Sequence, residues 1–375
     1  MSIKSTLKRE GINIIGQLNT MEINKIASNI SEKLSKAFPE HQLNQSDLFI
    51  SIARLNMYLA DMSSDMAMAK YFYKNNSIYF SKDMDLNTIN TLALHESIHY
   101  IQTVKNNHGK LLRLGLFDPR FNEGTGLNEA AVQTMASIAT NCEPDSVKYY
   151  NMDLNTISPD YYPIQTALIN EMMYFTGSYA LFHSTLYSND VFKNTFIAKS
   201  NEKAYDSISY NFDLILEYES RLSNEIYKLS VSSENISNTN KIKRLNERIA
   251  AIKNIIFEKT LETQNIIMYN CFNKELDSIK TLEDVKEFQE NIYNFKDHLI
   301  TAQNYNYYND FYIDMMNKLE EKKEFILKYG NILTLDSLTN ELSCIEENSY
   351  GFQFFRTLFR KIKLLFEEKI REKNY

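Results

Sequence analysis

The stretch LNTINTLALHESIHYIQTVK, residues 86–105, carries the strongest helical pattern in the sequence. Apolar side chains recur in it at the three- and four-residue spacing that places them on one face of an α-helix. These apolar positions are Ile89, Leu92, Ile98 and Ile101. Asp85 or Asn87 can cap the first turn. We therefore predict an amphipathic helix over residues 86–105 whose apolar face packs on a core.

The same helix carries two histidines four residues apart, His95 and His99, with Glu96 between them. Side chains at this spacing lie one above the other, so both imidazoles can bind one metal ion. Zinc accepts such nitrogen ligands at about 2.0–2.1 Å. Glu96 can lie beside the metal without binding it and accept a proton from a metal-activated water. This HExxH spacing predicts one zinc ion per chain, with Glu96 as the general base.

A catalytic zinc needs a third protein ligand and an open position. Glu129, within GLNEAA at residues 126–131, is the main candidate, because its small neighbours would let its helix approach the histidine helix closely. His108 and Glu123 are alternatives. His108 follows His99 by nine residues, whereas the metzincin pattern places its third histidine six residues on.

The HExxH at residues 95–99, followed by Asn128-Glu129, resembles the gluzincin superfamily of zinc metallopeptidases over roughly residues 75–185. The resemblance implies a zincin-like domain in which His95, His99 and Glu129 hold zinc, and peptide-bond hydrolysis as the activity. Many members carry an aspartate four residues after the ligand glutamate, where it orients a histidine. This chain has Gln133 there, whose oxygen can still accept an imidazole N–H. The gap between His99 and Glu129 is longer than in compact members.

Hydrolysis also needs a donor for the developing oxyanion, and gluzincins often take a Tyr, His or Arg from a later segment. Tyr179 and His183 are spaced i, i+4 on a predicted helix at 164–185, so both can face one site. Tyr174 is a further candidate. Packing against the metal helices is the alternative role for each of these side chains.

The remaining patterns predict a mainly α protein with a small β-sheet (α+β). Helices are predicted at 22–37 and 126–140, a strand at 48–60, and a hairpin at 68–82 around Asn75-Asn76. Within the hairpin, SIYFS (77–81) is either an edge strand that binds an extended peptide or an ordinary core strand.

Near residue 190 the pattern changes to charged amphipathic helices. We predict a zincin-like metal-binding catalytic domain at 1–190 and a helical region at 191–375. Two near-heptad runs on either side of the polar segment 232–240 indicate an antiparallel helical hairpin. Further helices are expected at 283–303, 308–328 and 351–373. The last one, with an apolar face flanked by basic residues, either packs on its own core or makes weak membrane-surface contact.

Composition narrows the function classes. The net charge of -7 disfavours general nucleic-acid binding. The expected partner, a peptide or protein substrate, is what the resemblance to metallopeptidases implies. Three separated cysteines disfavour a disulfide framework. The N-terminal sequence lacks a signal-peptide pattern and no run is long enough to span a membrane, so a cytoplasmic location is expected, with signal-independent export left open. Two alternatives remain: a non-catalytic zinc scaffold whose helical half binds a partner protein, and a dedicated effector or toxin-like protease with one protein substrate.

Overall fold

Helices form most of the chain, and three small β-sheets accompany them. The computed structural model describes residues 3–9, 11–62, 68–84, 89–233, 239–302 and 307–347. The prediction of a mainly α protein with a small sheet component is confirmed at this level.

The elements up to residue 114 alternate between helix and strand. In chain order they are α1 (Ile3–Arg9), β1 (Ile12–Gln17), α2 (Thr20–Ala37), α3 (Gln45–Ala53), β2 (Asn56–Met62), β3 (Ala69–Phe72), β4 (Ser77–Ser81), α4 (Ile89–Ile101), β5 (Thr103–Lys105) and β6 (Leu111–Leu114). Helices dominate the remainder. The elements there, in chain order, are α5 (Thr125–Ala139), β7 (Asp145–Tyr149), β8 (Met152–Thr156), α6 (Pro163–Thr176), α7 (Ser178–Tyr187), α8 (Val191–Lys199), α9 (Glu202–Ser233), α10 (Thr239–Ser278), α11 (Leu282–Phe295), β9 (Thr301–Ala302) and α12 (Tyr307–Glu347).

The first sheet has the strand order β1-β2-β4-β3, with β2 and β4 parallel and the other pairs antiparallel. The predicted hairpin is confirmed as β3 and β4, and Asn76 in its turn has the left-handed φ of 50° that asparagine tolerates. SIYFS is the central strand β4, buried along its whole length. The edge-strand interpretation of SIYFS was therefore wrong, because β2 covers its other side. The two edges of the sheet are β1 and β3.

The strand predicted at 48–60 was wrong in its first half. Asn44 accepts the backbone N–H of Asp47 at 3.1 Å and caps α3, so the apolar run begins as a helix and becomes β2 only at Asn56. The helix predicted at 22–37 is confirmed as α2. Its start is fixed by a capping box in which Asn19 and Glu22 each bind the other's backbone N–H.

The predicted histidine helix is confirmed as α4, although it ends at Ile101. Residues 103–105 pair with β6 and form β5 instead. Ile98 is fully buried, and Leu92 and Ile101 are half-buried against the main core. The proposed caps Asp85 and Asn87 lie outside the described residues.

Helix α5 lies in the middle of the core. Its buried residues include polar side chains as well as small and apolar ones. It packs against α4, α6, α7 and α9. Close packing is possible because the contact residues are small: a Cβ added to Gly126 would lie 2.4 Å from the Phe212 carbonyl oxygen of α9. The helix predicted at 164–185 is divided at Gly177, whose φ of 76° breaks it into α6 and α7.

Helices α9 and α10 run antiparallel. Near one end Asn201 Nδ2 donates to Asn270 Oδ1 at 2.8 Å, and towards the other Arg248 Nη1 lies 3.7 Å from Glu225 Oε2. The chain divides into two compact units, Met1–Asp277 with Glu290–Met315, and Ser278–Gln289 with Met316–Tyr375. Residue 190 lies within the first unit. The helix predicted at 351–373 lies outside the described residues. Among the helices that the structure describes, none combines the length and apolarity needed to cross a bilayer.

Candidate metal centre

Three side chains that the sequence assigned to a metal site converge in the structure. His95 and His99 come from α4 and Glu129 comes from α5. His95 Nε2 lies 3.0 Å from His99 Nε2 and 3.3 Å from Glu129 Oε2, and His99 Nε2 lies 3.4 Å from Glu129 Oε1. Both histidines are buried, and the Glu129 side chain is 19% exposed. The three donor groups thus face one point inside the fold.

These separations fit a bound metal ion. Ligand atoms at about 2.0–2.1 Å from a tetrahedral centre stand about 3.3–3.4 Å apart. The two imidazole nitrogens lie 3.0 Å apart, and each lies 3.3–3.4 Å from a different oxygen of Glu129, so the carboxylate faces both histidines. The three residues therefore form a group that could hold a metal ion.

His95 is oriented by Gln133, one turn beyond Glu129 on α5. Its Nδ1 lies 2.9 Å from Gln133 Oε1, so Nδ1 carries the proton and Nε2 is left for the metal. The amide of Gln133 is fixed in turn, because Nε2 donates to Ser158 Oγ at 2.9 Å. The predicted role of Gln133 as acceptor for an imidazole N–H agrees with this geometry.

His99 is oriented by Gln102. Its Nδ1 lies 2.8 Å from the nitrogen assigned as Nε2 of that amide, while Gln102 Oε1 is buried without a partner. Amide oxygen and nitrogen are interchangeable in such assignments. Exchanging them lets His99 Nδ1–H donate to the oxygen, which again leaves the imidazole Nε2 for the metal. Gln102 therefore does for His99 what Gln133 does for His95.

Charges within the site favour an ionised carboxylate. Burial raises the pKa of Glu129, but the two imidazoles outweigh it and hold the pKa below its usual range. Burial likewise lowers the pKa of His99, and the carboxylates of Glu129 and Glu96 outweigh it, so that pKa is raised. The site is therefore built around a negative charge that attracts cations.

Helix α9 fixes the position of α5, and so of Glu129. Both carboxylate oxygens of Asp213 accept backbone N–H groups at the start of α5, from Gly124 at 2.8 Å and Gly126 at 2.7 Å. These are N–H groups that a helix cannot satisfy internally. Asp213 thus caps α5 from a distant part of the chain and lies near the positive end of its dipole.

Glu96 is not part of the ligand cluster and is held by the edge strand. The backbone N–H of Tyr71 on β3 donates to Glu96 Oε2 at 2.5 Å. Glu96 is buried and interacts electrostatically with His99 and Tyr162. This contact holds the carboxylate beside the site through one of its two oxygens.

Tyr162 is the site residue that the sequence analysis missed. It precedes α6 in the left-handed conformation, with φ of 54°, and its ring lies 6.1 Å from that of His95. The carboxylate of Glu129, burial, and the carboxylate of Glu96 raise the pKa of Tyr162 well above its ordinary value, so the phenol stays protonated. A half-buried O–H donor therefore stands at the rim of the ligand cluster. Its one sequence signal is the Tyr-Pro step that begins α6.

The other candidates lie in different surroundings. The rings of Tyr179 and His183 stack with each other and with His41, at centroid distances of 4.8–5.9 Å. Their role as oxyanion donors stays a prediction, and the contacts described here are those of packing residues. Tyr174 donates to the Asn291 carbonyl at 2.8 Å. His108 and Glu123, the alternative third ligands, are both exposed and outside the cluster.

No family model, curated protein sequence or solved structure matches this chain. Its function is therefore inferred from the geometry of the site itself.

Proposed function

We propose that this protein is a zinc-dependent peptidase. The observation that carries the proposal is the convergence of His95, His99 and Glu129, with their ligand atoms within 4.8 Å of one another and the Glu96 carboxylate beside them. Two imidazoles, one carboxylate and one open corner form a standard donor set for hydrolytic zinc. Zinc bound there would polarise a scissile carbonyl and lower the pKa of a water towards 7.

The chain's own residues supply the proton transfers. Glu96, anchored through Oε2 to the Tyr71 N–H, accepts a proton from the attacking water and returns it to the leaving amine. Tyr162, protonated and close to both carboxylates, donates a hydrogen bond to the oxyanion that develops on the opposite side.

The edge strand β3 supports a peptide as the substrate. Tyr71 N–H points to Glu96, so it is not used in pairing with β4, and this edge of β3 faces the metal centre. An extended peptide can add to such an edge by backbone hydrogen bonds. The Lys105 ammonium binds the Tyr73 carbonyl, so the substrate strand would run along β3 from Tyr71 towards Ala69.

The test compares wild type with Glu96→Gln, using Glu123→Gln as a matched control on an exposed carboxylate. Metal content is measured by mass spectrometry of the purified proteins, and cleavage on a broad peptide library and on a cell lysate. We expect one zinc in all three proteins. Cleavage should fall about 100-fold or more in Glu96→Gln alone.

Other outcomes separate the alternatives. Loss of zinc from Glu96→Gln would show that Glu96 is a ligand. A zinc-loaded wild type that cleaves neither library nor lysate would contradict the peptidase proposal and favour a binding scaffold. Cleavage of a single lysate protein, with none of the library, would identify a dedicated protease.

A further inference from the structure

A second carboxylate, Glu219 of α9, lies near Tyr162. Gln165 of α6 holds it: Gln165 Nε2 donates to Glu219 Oε2 at 2.5 Å. The charge of Glu219 also acts on the Tyr162 phenol. Glu219 therefore belongs to the surroundings of the metal centre, although the reaction described above does not use it.

Two buried acceptor atoms in this group lack a donor. Glu219 Oε1 and Gln165 Oε1 are both shielded from solvent and have no hydrogen-bond partner within the described residues. Exchanging the amide atoms of Gln165 does not help, because it would place an amide oxygen against the Glu219 carboxylate. Buried acceptors without partners are rare, and they mark places where a water, an ion or a ligand belongs. The Tyr149 hydroxyl already acts on the Glu219 carboxylate as a donor, and a ligand that satisfies both oxygens must bring further N–H or O–H donors.

Aromatic rings complete the group. Tyr149 lies beside the Glu219 carboxylate, and Tyr150 Oη donates to Tyr149 Oη at 3.1 Å. Tyrosine faces attract cations, and Lys253 Nζ already lies 5.9 Å from the ring centroid of Tyr150. Among the ion pairs of the described residues, none joins Lys253 to Glu219, so the carboxylate keeps its capacity for another cation.

We propose that Glu219, Gln165 and Tyr149 bind a cationic group of the substrate, an ammonium or a guanidinium. The proposal rests on the peptidase function and specifies its substrate class. The charge of Glu219 acts on Tyr162, so the bound cation would lie on the Tyr162 side of the metal centre. A lysine or arginine side chain and a free α-amine share this chemistry.

The cost of burying Glu219 supports this assignment. Burial raises the pKa of Glu219 to about 7, although Gln165 and Tyr149 act to lower it. A cation placed between Glu219 Oε1 and Gln165 Oε1 would favour the ionised form and satisfy both acceptors at once.

The test uses the full-length, zinc-loaded Glu96→Gln protein, which should bind peptides without cleaving them. The probes are two degenerate ten-residue peptide libraries, one containing lysine and one with norleucine in its place, each with free and acetylated N-termini. Bound peptides are recovered by ultrafiltration and counted by mass spectrometry. We expect about 10-fold or greater enrichment of lysine peptides, as for a hydrogen bond to a charged group. If recovery is instead equal for the lysine and norleucine libraries and falls when the N-termini are acetylated, the bound cation is the α-amine.

A second substitution decides the role of Glu219. Adding Glu219→Gln should reduce the enrichment to about one, while Glu219→Asp should keep part of it. Glu217→Gln, on the exposed face of the same helix and paired with Arg221, should leave it unchanged. Thermal unfolding verifies that each variant is folded.

Two results would overturn the proposal: recovery that depends on neither a lysine nor a free α-amine, or a cation preference that survives Glu219→Gln. Because binding is measured without hydrolysis, either result leaves cleavage by the wild type intact. Conversely, a cation preference in a protein that cleaves nothing contradicts only the peptidase function.

Discussion

Replacement of Gly126 by alanine should lower both the stability of the protein and its affinity for zinc, although Gly126 is not one of the proposed ligands. The added Cβ would lie 2.4 Å from the Phe212 carbonyl oxygen and 2.5 Å from its carbon. Backbone atoms cannot rotate out of the way as a side chain does. Since ordinary contact begins at about 3.4 Å, α5 and α9 must separate by about 1 Å.

Two opposing effects determine how much stability Gly126→Ala loses. Alanine gains at most about 1 kcal/mol over glycine in a helix, and less in a first turn. Overpacking of this kind costs about 1–3 kcal/mol. We therefore expect Gly126→Ala to lower the free energy of unfolding by about 1–2 kcal/mol, equivalent to a melting temperature lower by about 1–3 °C.

Zinc affinity should fall in the same variant. Glu129 lies one turn after Gly126, and metal–ligand distances tolerate only about 0.2 Å of error. A displacement near 1 Å should cost at least about 10-fold in affinity, measured by competition with a chelator of known strength. Gly16→Ala is the control, since nothing lies within 4 Å of its added Cβ. Wild-type melting temperature and zinc affinity in Gly126→Ala would refute the reasoning.

Three other substitutions test separate parts of the site. Gln133→Ala removes the acceptor for His95 Nδ1–H and should weaken zinc binding about 10- to 100-fold in chelator competition; unchanged affinity would mean that Gln133 does not orient the ligand. Tyr162→Phe should lower kcat about 10- to 100-fold with little change in KM, and a change confined to KM would assign Tyr162 to substrate binding. Glu219→Gln tests the pH dependence of stability. The pKa of Glu219 in the folded state, about 7, lies above its ordinary 4.5, so the native state binds the proton more tightly than the unfolded state does. The stability of the wild type should therefore fall as pH rises from 4.5 to about 7. Relative to Glu219→Gln, the metal-free wild type should lose about 3 kcal/mol or less over this window in urea unfolding, and parallel stability curves would contradict the raised pKa.

The ligand set could be predicted from sequence because local geometry defines most of it. The i, i+4 spacing of His95 and His99 places both imidazoles on the same face of any helix. The apolar pattern of residues 86–105 predicted that this segment is a helix. Glu129 and Gln133 share the second helix at the same spacing. Only the meeting of α4 and α5 required tertiary structure, and the small residues of α5 indicated that it could occur.

The other site residues depend on contacts that spacing cannot show. Tyr162 reaches the ligands because the chain turns at a left-handed residue before α6, whereas Tyr179 and His183 have the right spacing but stack on His41. The identity of the edge strand depended on β2 pairing with β4 across an intervening hairpin strand. Gln165 and Glu219 are 54 residues apart, and nothing in either segment indicates their contact.

The capping of α5 by Asp213 sets an order of events during synthesis. The carboxylate lies 89 and 87 residues after the N–H groups it binds, at Gly124 and Gly126. A nascent chain that has emerged only as far as α8 already contains His95, His99 and Glu129, yet it lacks the carboxylate that caps the helix bearing Glu129. We therefore expect these three side chains to reach their final arrangement only after α9 has emerged as far as Asp213, and a fragment that ends near residue 190 should lack this cap.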